Sequence, residues 1–153
     1  MSLYYKVRIT IGKVQSNNLI AMAFLGKEYK FVRDENFEAF IQSLGLPEEE
    51  NKIYKDYHPS QKLTLDGATY TFTAATPQSS DTLSFKSGVE FDEKIDHSNA
   101  KSTVTVEDNV MTHVQKLEDG KVFTFLREFN GDELVLTITN NAWDGATKIY
   151  YKA

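Results

Sequence analysis

The chain has 153 residues, 41% apolar and 25% charged, with 17 basic and 22 acidic residues and no cysteine. A single core can serve a chain of this length, so one domain is expected. Without thiols there are no disulfides, zinc thiolates, iron–sulfur clusters or cysteine nucleophiles, and a net charge of −5 gives no general attraction to nucleic acid or to an anionic membrane.

At the start, Tyr5, Val7, Ile9 and Ile11 alternate with Lys6, Arg8, Thr10 and Gly12, a pattern that suits an edge strand. No apolar stretch of signal-peptide length occurs there and no Asn-X-Ser/Thr acceptor occurs anywhere, so an intracellular protein is expected. A first core strand is predicted at about Phe24 to Val32, and Asp34 to Pro59 read as helical. In the first helix Phe37, Phe40, Ile41 and Leu44 make one apolar stripe, with Asp34 placed to cap its start and Gly45 to end it. Pro47 and Glu48 to Glu50 announce a second, short and weakly amphipathic helix. It carries Ile53, Tyr54 and Tyr57, stops at Pro59, and reads as a lid rather than a core element.

From Ser60 onward turn signals recur at hairpin spacing: Asp66-Gly67, Pro77 to Ser80, Ser87-Gly88, Asp96 to Asn99, Asp108-Asn109, Asp119-Gly120, Asn130-Gly131 and Asp144-Gly145. They delimit nine strands, ten with the first. Ten antiparallel strands in hairpin order leave two long edges unless the sheet curls and closes, so the expected fold is mainly β, a ten-stranded antiparallel up-and-down barrel (a β-clam) capped by a helix-turn-helix lid. Such a barrel is too wide for side chains alone to fill. Phe123, Phe125, Arg127 and Phe129 share one strand face; Met111, His113, Gln115 and Leu117 share another; Ala146, Lys148, Tyr150 and Lys152 share a third. A cavity mixing apolar and polar groups follows.

Several segments carry a family resemblance. Lys27-Glu-Tyr-Lys-Phe31 followed by Asn36-Phe-Glu-Ala-Phe-Ile-Gln-Ser-Leu44, then Leu83 to Glu93, Val114-Gln-Lys116 and Arg127-Glu-Phe129, resemble the cytosolic fatty-acid-binding proteins, a family that includes the cellular retinoid-binding proteins. The ending, Trp143 to Ala153, looks like that of insect muscle members. The resemblance runs from Met22 to Ala153, leaving residues 1–21 as an extension that is not expected to touch ligand. It implies a long-chain fatty acid carried through the cytosol by a monomer, without cofactor, metal, nucleic acid or catalysis, and with transient membrane contact through the lid.

The family pattern also implies a carboxylate site, with an Arg on a late strand and an Arg-X-Tyr near the end. Arg127 stands at the first position and Tyr150 at the last, while Lys148 replaces the second Arg and loses its bidentate fork. His113 and Gln115 are expected to supply polar contacts, and Phe37, Leu136 and Ile138 apolar ones. The chemistry agrees: an acyl chain leaving water gains ~0.8 kcal/mol per buried methylene, but its carboxylate cannot follow without a cation and hydrogen bonds. A retinoid carrier remains open as an alternative, as does a barrel that serves protein interaction and has no physiological ligand.

Catalytic signals are poor. His58, His97 and His113 have no metal-ligand spacing, and no phosphate loop, nucleophile elbow or His-Glu-X-X-His occurs.

Overall fold

A computed structural model describes residues 22–95 and 98–153. The early alternating segment, the boundary after residue 21 and His97 lie outside the described residues. Ten strands and two helices follow in order: β1 (Lys30–Glu35), α1 (Phe37–Ser43), α2 (Glu48–Lys55), β2 (Ser60–Asp66), β3 (Thr69–Ala75), β4 (Ser80–Phe85), β5 (Phe91–Ile95), β6 (Ser98–Glu107), β7 (Val110–Leu117), β8 (Val122–Asn130), β9 (Glu133–Asn140) and β10 (Trp143–Lys152). The strand count matches the turn signals.

The first strand begins later than expected. Residues 22–26 form a turn, where Phe24 stacks on Phe129 with ring centroids 4.3 Å apart. Tyr29 then donates its hydroxyl to Gly131 O at 2.7 Å. Together these aromatics plug one end of the barrel, so Phe24 is a stopper and not a strand residue.

At the other end α1 buries Phe37, Phe40 and Ile41, the expected stripe, each side chain contributing about 1.5–3 kcal/mol. Phe40 meets Phe123 edge-on at 6.4 Å and Trp143 at 5.7 Å. Asp34 does not cap this helix because it belongs to β1. Asn36 precedes the helix instead, in a left-handed conformation with φ 67°, and its amide donates to Ala146 O at 3.1 Å. Gly45 ends the first helical segment with φ +66°, as its permissive backbone predicts. α2 buries no residue and leaves Ile53 67% exposed. The two helices form a lid.

The strands form two sheets rather than one closed ladder. One runs β1-β10-β9-β8-β7-β6-β5, the other β2-β3-β4. The sheets meet at β1 and β2 through a single bridge, where Tyr29 and Gln61 exchange N–H···O bonds of 2.8 and 2.9 Å. Among the described residues no ladder joins β4 to β5. The connection between them instead ties to β6, with Gly88 N donating to Val104 O at 2.9 Å and Val106 N to Ser87 Oγ at 2.8 Å. Charged Asp92, Glu93 and Lys94 on β5 and exposed Ser80 to Thr82 on β4 suit unpaired edges. This is the expected ten-stranded up-and-down barrel with its helical lid, in the β-clam form whose strand ladder does not close.

The last hairpin also differs from the sequence expectation. Its turn falls at Asn141-Ala142, pairing Trp143 with Asn140, and Asp144-Gly145 lie within β10 as a bulge. The Trp143 ring covers Gly145 so closely that a Cβ there would lie 2.3 Å from it. Beyond the bulge Thr147 pairs with Ile138, Ile149 with Leu136 and Tyr151 with Leu134. This register decides the site.

Candidate functional site

The interior face of β8 and β9 is built from the residues the alternation selected. Arg127, Phe129, Leu134, Leu136 and Ile138 are all buried, and Arg127 pairs with Met111 on one side and Leu136 on the other. Directly opposed β residues share a face. Because Leu134, Leu136 and Ile138 point inward, so do their partners Tyr151, Ile149 and Thr147.

Lys148 and Tyr150 therefore face outward, which corrects their expected place beside Arg127. Lys148 is exposed opposite Glu35 of β1. Tyr150 donates its hydroxyl to Glu35 Oε1 at 3.2 Å and lies under the Arg33 guanidinium, 3.8 Å from its ring centre. One residue further along, Ile149 and Tyr151 hold the two inward places that the Arg-X-Tyr spacing predicts for Lys148 and Tyr150. The face of β10 carrying Lys148 and Lys152 is the solvated one, as a charged face should be.

The hydroxyl that does enter the barrel belongs to Tyr151. It accepts from Gln61 Nε2 at 2.9 Å, and Gln61 Oε1 in turn accepts from Arg127 Nε at 2.8 Å. Gln61 thus bridges the small sheet to the large one and orients both partners. Since its amide hydrogen occupies an acceptor site on Tyr151, the phenolic proton is left to point elsewhere. Arg127 lies over the Phe72 ring at 4.4 Å, and its Nη1 is buried with no partner among the described residues.

Burial pushes the Arg127 guanidinium down to about 10, against the attraction of Tyr151 and Glu93, so it remains charged at neutral pH. Burial likewise pushes Tyr151 up to about 12, with Arg127 and Gln61 opposing, so the phenol keeps its proton. The cluster presents a cation with an idle N–H beside a neutral hydroxyl donor. Both suit an anion.

A second polar cluster stands nearer the lid. Glu93 Oε1 accepts from Ser102 Oγ at 2.8 Å, His113 Nε2 at 2.9 Å and Gln115 Nε2 at 3.1 Å. Burial alone would raise this carboxyl, but the hydrogen bond and charge of His113 and the bonds from Ser102 and Gln115 outweigh it and hold it below its ordinary value. His113 and Gln115 are both interior, as expected, and joined to a carboxylate.

Under the lid lies a cavity of about 520 Å³, lined among others by Phe40, Leu44, Tyr54, Gln115, Phe123 and Phe125. Beside it, across Tyr57, a recess of about 760 Å³ is bounded by Phe31, Ile53, His58 and the β3–β4 turn. Phe37 packs on Phe40 and His58, at 6.2 and 5.9 Å, and holds α1 to the barrel. It does not line the lid cavity.

Gln61, Tyr151, Glu93 and Ser102 were absent from the sequence reading. Two had a signal. In Ser60-Gln-Lys-Leu63 the alternation puts Gln61 with Leu63, and in Thr147-Lys-Ile-Tyr-Tyr151 it puts Tyr151 with Ile149.

An apolar barrel with a lid, a cavity beneath it and an idle cation inside has the parts that enclosing an amphiphile requires. Residues 25–147 match the Lipocalin / cytosolic fatty-acid binding protein family. The chain belongs to that family, whose members related to it are binding proteins rather than enzymes. It is similar to fatty acid-binding protein 2 of Manduca sexta, 45% identical over 133 residues that span 86% of this chain and 100% of the relative. Its fold is similar to a crystal structure of a fatty-acid-binding protein isolated from Manduca sexta, with a TM-score of 0.77 and 45% identity over 85% of this chain and 99% of the other. A Schistosoma mansoni fatty acid binding protein, in complex with arachidonic acid, aligns with a TM-score of 0.74 and 30% identity over 85% of this chain and 95% of that one.

Proposed function

We propose that residues 22–153 bind one long-chain fatty acid per monomeric barrel and carry it through the cytosol, with its carboxylate between Arg127 and Tyr151. The observation that carries this reading is the buried Arg127 Nη1 without a partner among the described residues, an orphan donor of a kind native interiors rarely leave unmatched. An acyl carboxylate supplies the missing acceptor, and Tyr151 contributes a second hydrogen bond. Gln61 holds both donors in place. Ile149, Leu136, Ile138 and the phenylalanines of β8 offer the chain apolar surface, and the names of the relatives point to the same ligand class. Exposed Ile53 beside Tyr57 on the lid side is the proposed point of transient membrane contact.

Calorimetric titration of the delipidated protein with palmitate, oleate and all-trans retinoate tests the reading. One-to-one binding of a fatty acid, weakened in Arg127→Ala while the fold persists, is the expected result. Saturable binding of retinoate alone favours a retinoid carrier; binding of none of them sinks the carrier reading.

A further inference from the structure

The Glu93 cluster is not used by a simple fatty acid. Three donors converge on Oε1, and among the described residues none reaches Oε2. Nor is Oε2 sealed off: it is not among the fully buried unpartnered side-chain atoms of the described residues, and the Glu93 side chain retains 19% exposure. An ionised carboxylate has about four acceptor sites and no donor. Glu93 therefore holds acceptor capacity on Oε2, the donors of Ser102, His113 and Gln115 being spent on its other oxygen.

Two of its donors stand on the wall between the Arg127 rung and the lid. Gln115 pairs with Phe123, His113 with Phe125 and Met111 with Arg127, so these are successive inward rungs of the same ladder. At about 3.4 Å per residue, His113 and Gln115 stand roughly 7 and 14 Å from the Arg127 rung. Gln115 also lines the lid cavity. A chain running along this wall from Arg127 to the lid passes His113 and then Gln115, the two side chains that hold Glu93.

On the reading that the carboxylate sits at Arg127, we propose that Glu93 is a second ligand-contacting residue, its Oε2 accepting the hydroxyl of a monohydroxylated long-chain acid. A neutral hydroxyl suits this place better than either ion. A second carboxylate is repelled by Glu93, and a cationic donor is opposed by Arg127, whose field already reaches Glu93. The imidazole and amide on Oε1 fix the carboxylate, so the geometry selects one stretch of chain and not polarity in general.

The test is titration of the delipidated protein with stearate and with monohydroxystearates bearing the hydroxyl beside the carboxyl, at mid-chain or near the methyl end. A hydrogen bond to a charged acceptor, less the cost of drying the hydroxyl, predicts about five- to tenfold tighter binding of a mid-chain isomer than of stearate. The other isomers should gain nothing. Glu93→Leu should bring that ratio to one or below, and Glu93→Gln, which keeps the shape and partners if the leucine variant misfolds, should lower it at least twofold. Arg127→Ala should weaken stearate and the hydroxy acids alike. Equal gains for all isomers, no gain for any, or a ratio indifferent to Glu93 overturns the proposal while leaving the carrier reading intact. Binding of neither stearate nor any hydroxy acid overturns both.

Discussion

The barrel holds two buried polar clusters a few rungs apart, and they are satisfied in opposite senses. Around Glu93, three donors crowd onto one oxygen of a single carboxylate. Around Arg127, a guanidinium with five N–H donors has, among the described residues, one fixed acceptor, Gln61, and a buried Nη1 that meets none. Burial opposes the charge at both, yet Glu93 ends below its ordinary value while Arg127 is pushed down to about 10. The lesson is that several donors on one oxygen are enough to hold a partly buried carboxylate in its charged form, whereas a fully buried cation with a single fixed acceptor is held there at a cost.

The strongest way to break that contrast is Arg127→Met. It removes the under-satisfied charge and keeps most of the volume, so palmitate affinity should fall about 30-fold or more. The melting temperature of the empty barrel should not fall, because an apolar side chain replaces an incompletely paired buried cation. A lower melting temperature with unchanged affinity would show that Arg127 is structural. Next comes Tyr151→Phe, which deletes one hydrogen bond at a constant ring shape and should weaken palmitate about three- to tenfold by titration.

The contrast also has a pH signature. Glu93 titrates lower in the fold than in the unfolded chain, so between those values the unfolded state binds more protons and stability rises with pH. That contribution is present above the ordinary glutamate range and is lost as pH falls through the folded value. Melting curves from neutral to acidic pH should therefore show a shallower acid decline in Glu93→Gln than in the parent; parallel declines would refute the assignment. The smallest effects belong outside. Tyr150→Phe and Lys148→Ala should each change palmitate affinity less than about twofold, since exposed pairs on the outer wall contribute little. A large loss in either would mean that β10 presents its other face to the ligand.

Much of this was legible from residues alone. The hairpin turns counted the strands, the Phe37–Phe40–Ile41 stripe located the helix that docks, and the phenylalanines around Arg127 marked the inner face of β8. The faults came where a local pattern left two choices. Tyr150 and Tyr151 are adjacent, and a motif that specifies a tyrosine does not specify which one enters the barrel. Asp144-Gly145 has the composition of a turn and serves as a bulge under Trp143. Lys148 looked like a replacement for an inward arginine, whereas its neighbour Ile149 holds the inward place.

What the sequence determined by itself is what depends on neighbours in the chain: hairpin order, alternation within each strand, the amphipathic first helix and membership of a recognisable family. Only the tertiary structure decided what depends on partners far along it. The Gln61 link to Arg127 spans 66 residues and its link to Tyr151 spans 90, while Glu93 gathers partners 9, 20 and 22 residues away. The Gln61 meetings are set by the register of β10 on β9 and by the bridge that joins two sheets at Tyr29 and Gln61, and the Glu93 meetings by the pairing of β5 on β6 and β6 on β7. The physical reason is the period of two: within a strand it says which side chains share a face, but only pairing with a neighbour whose face is known says which way that face points.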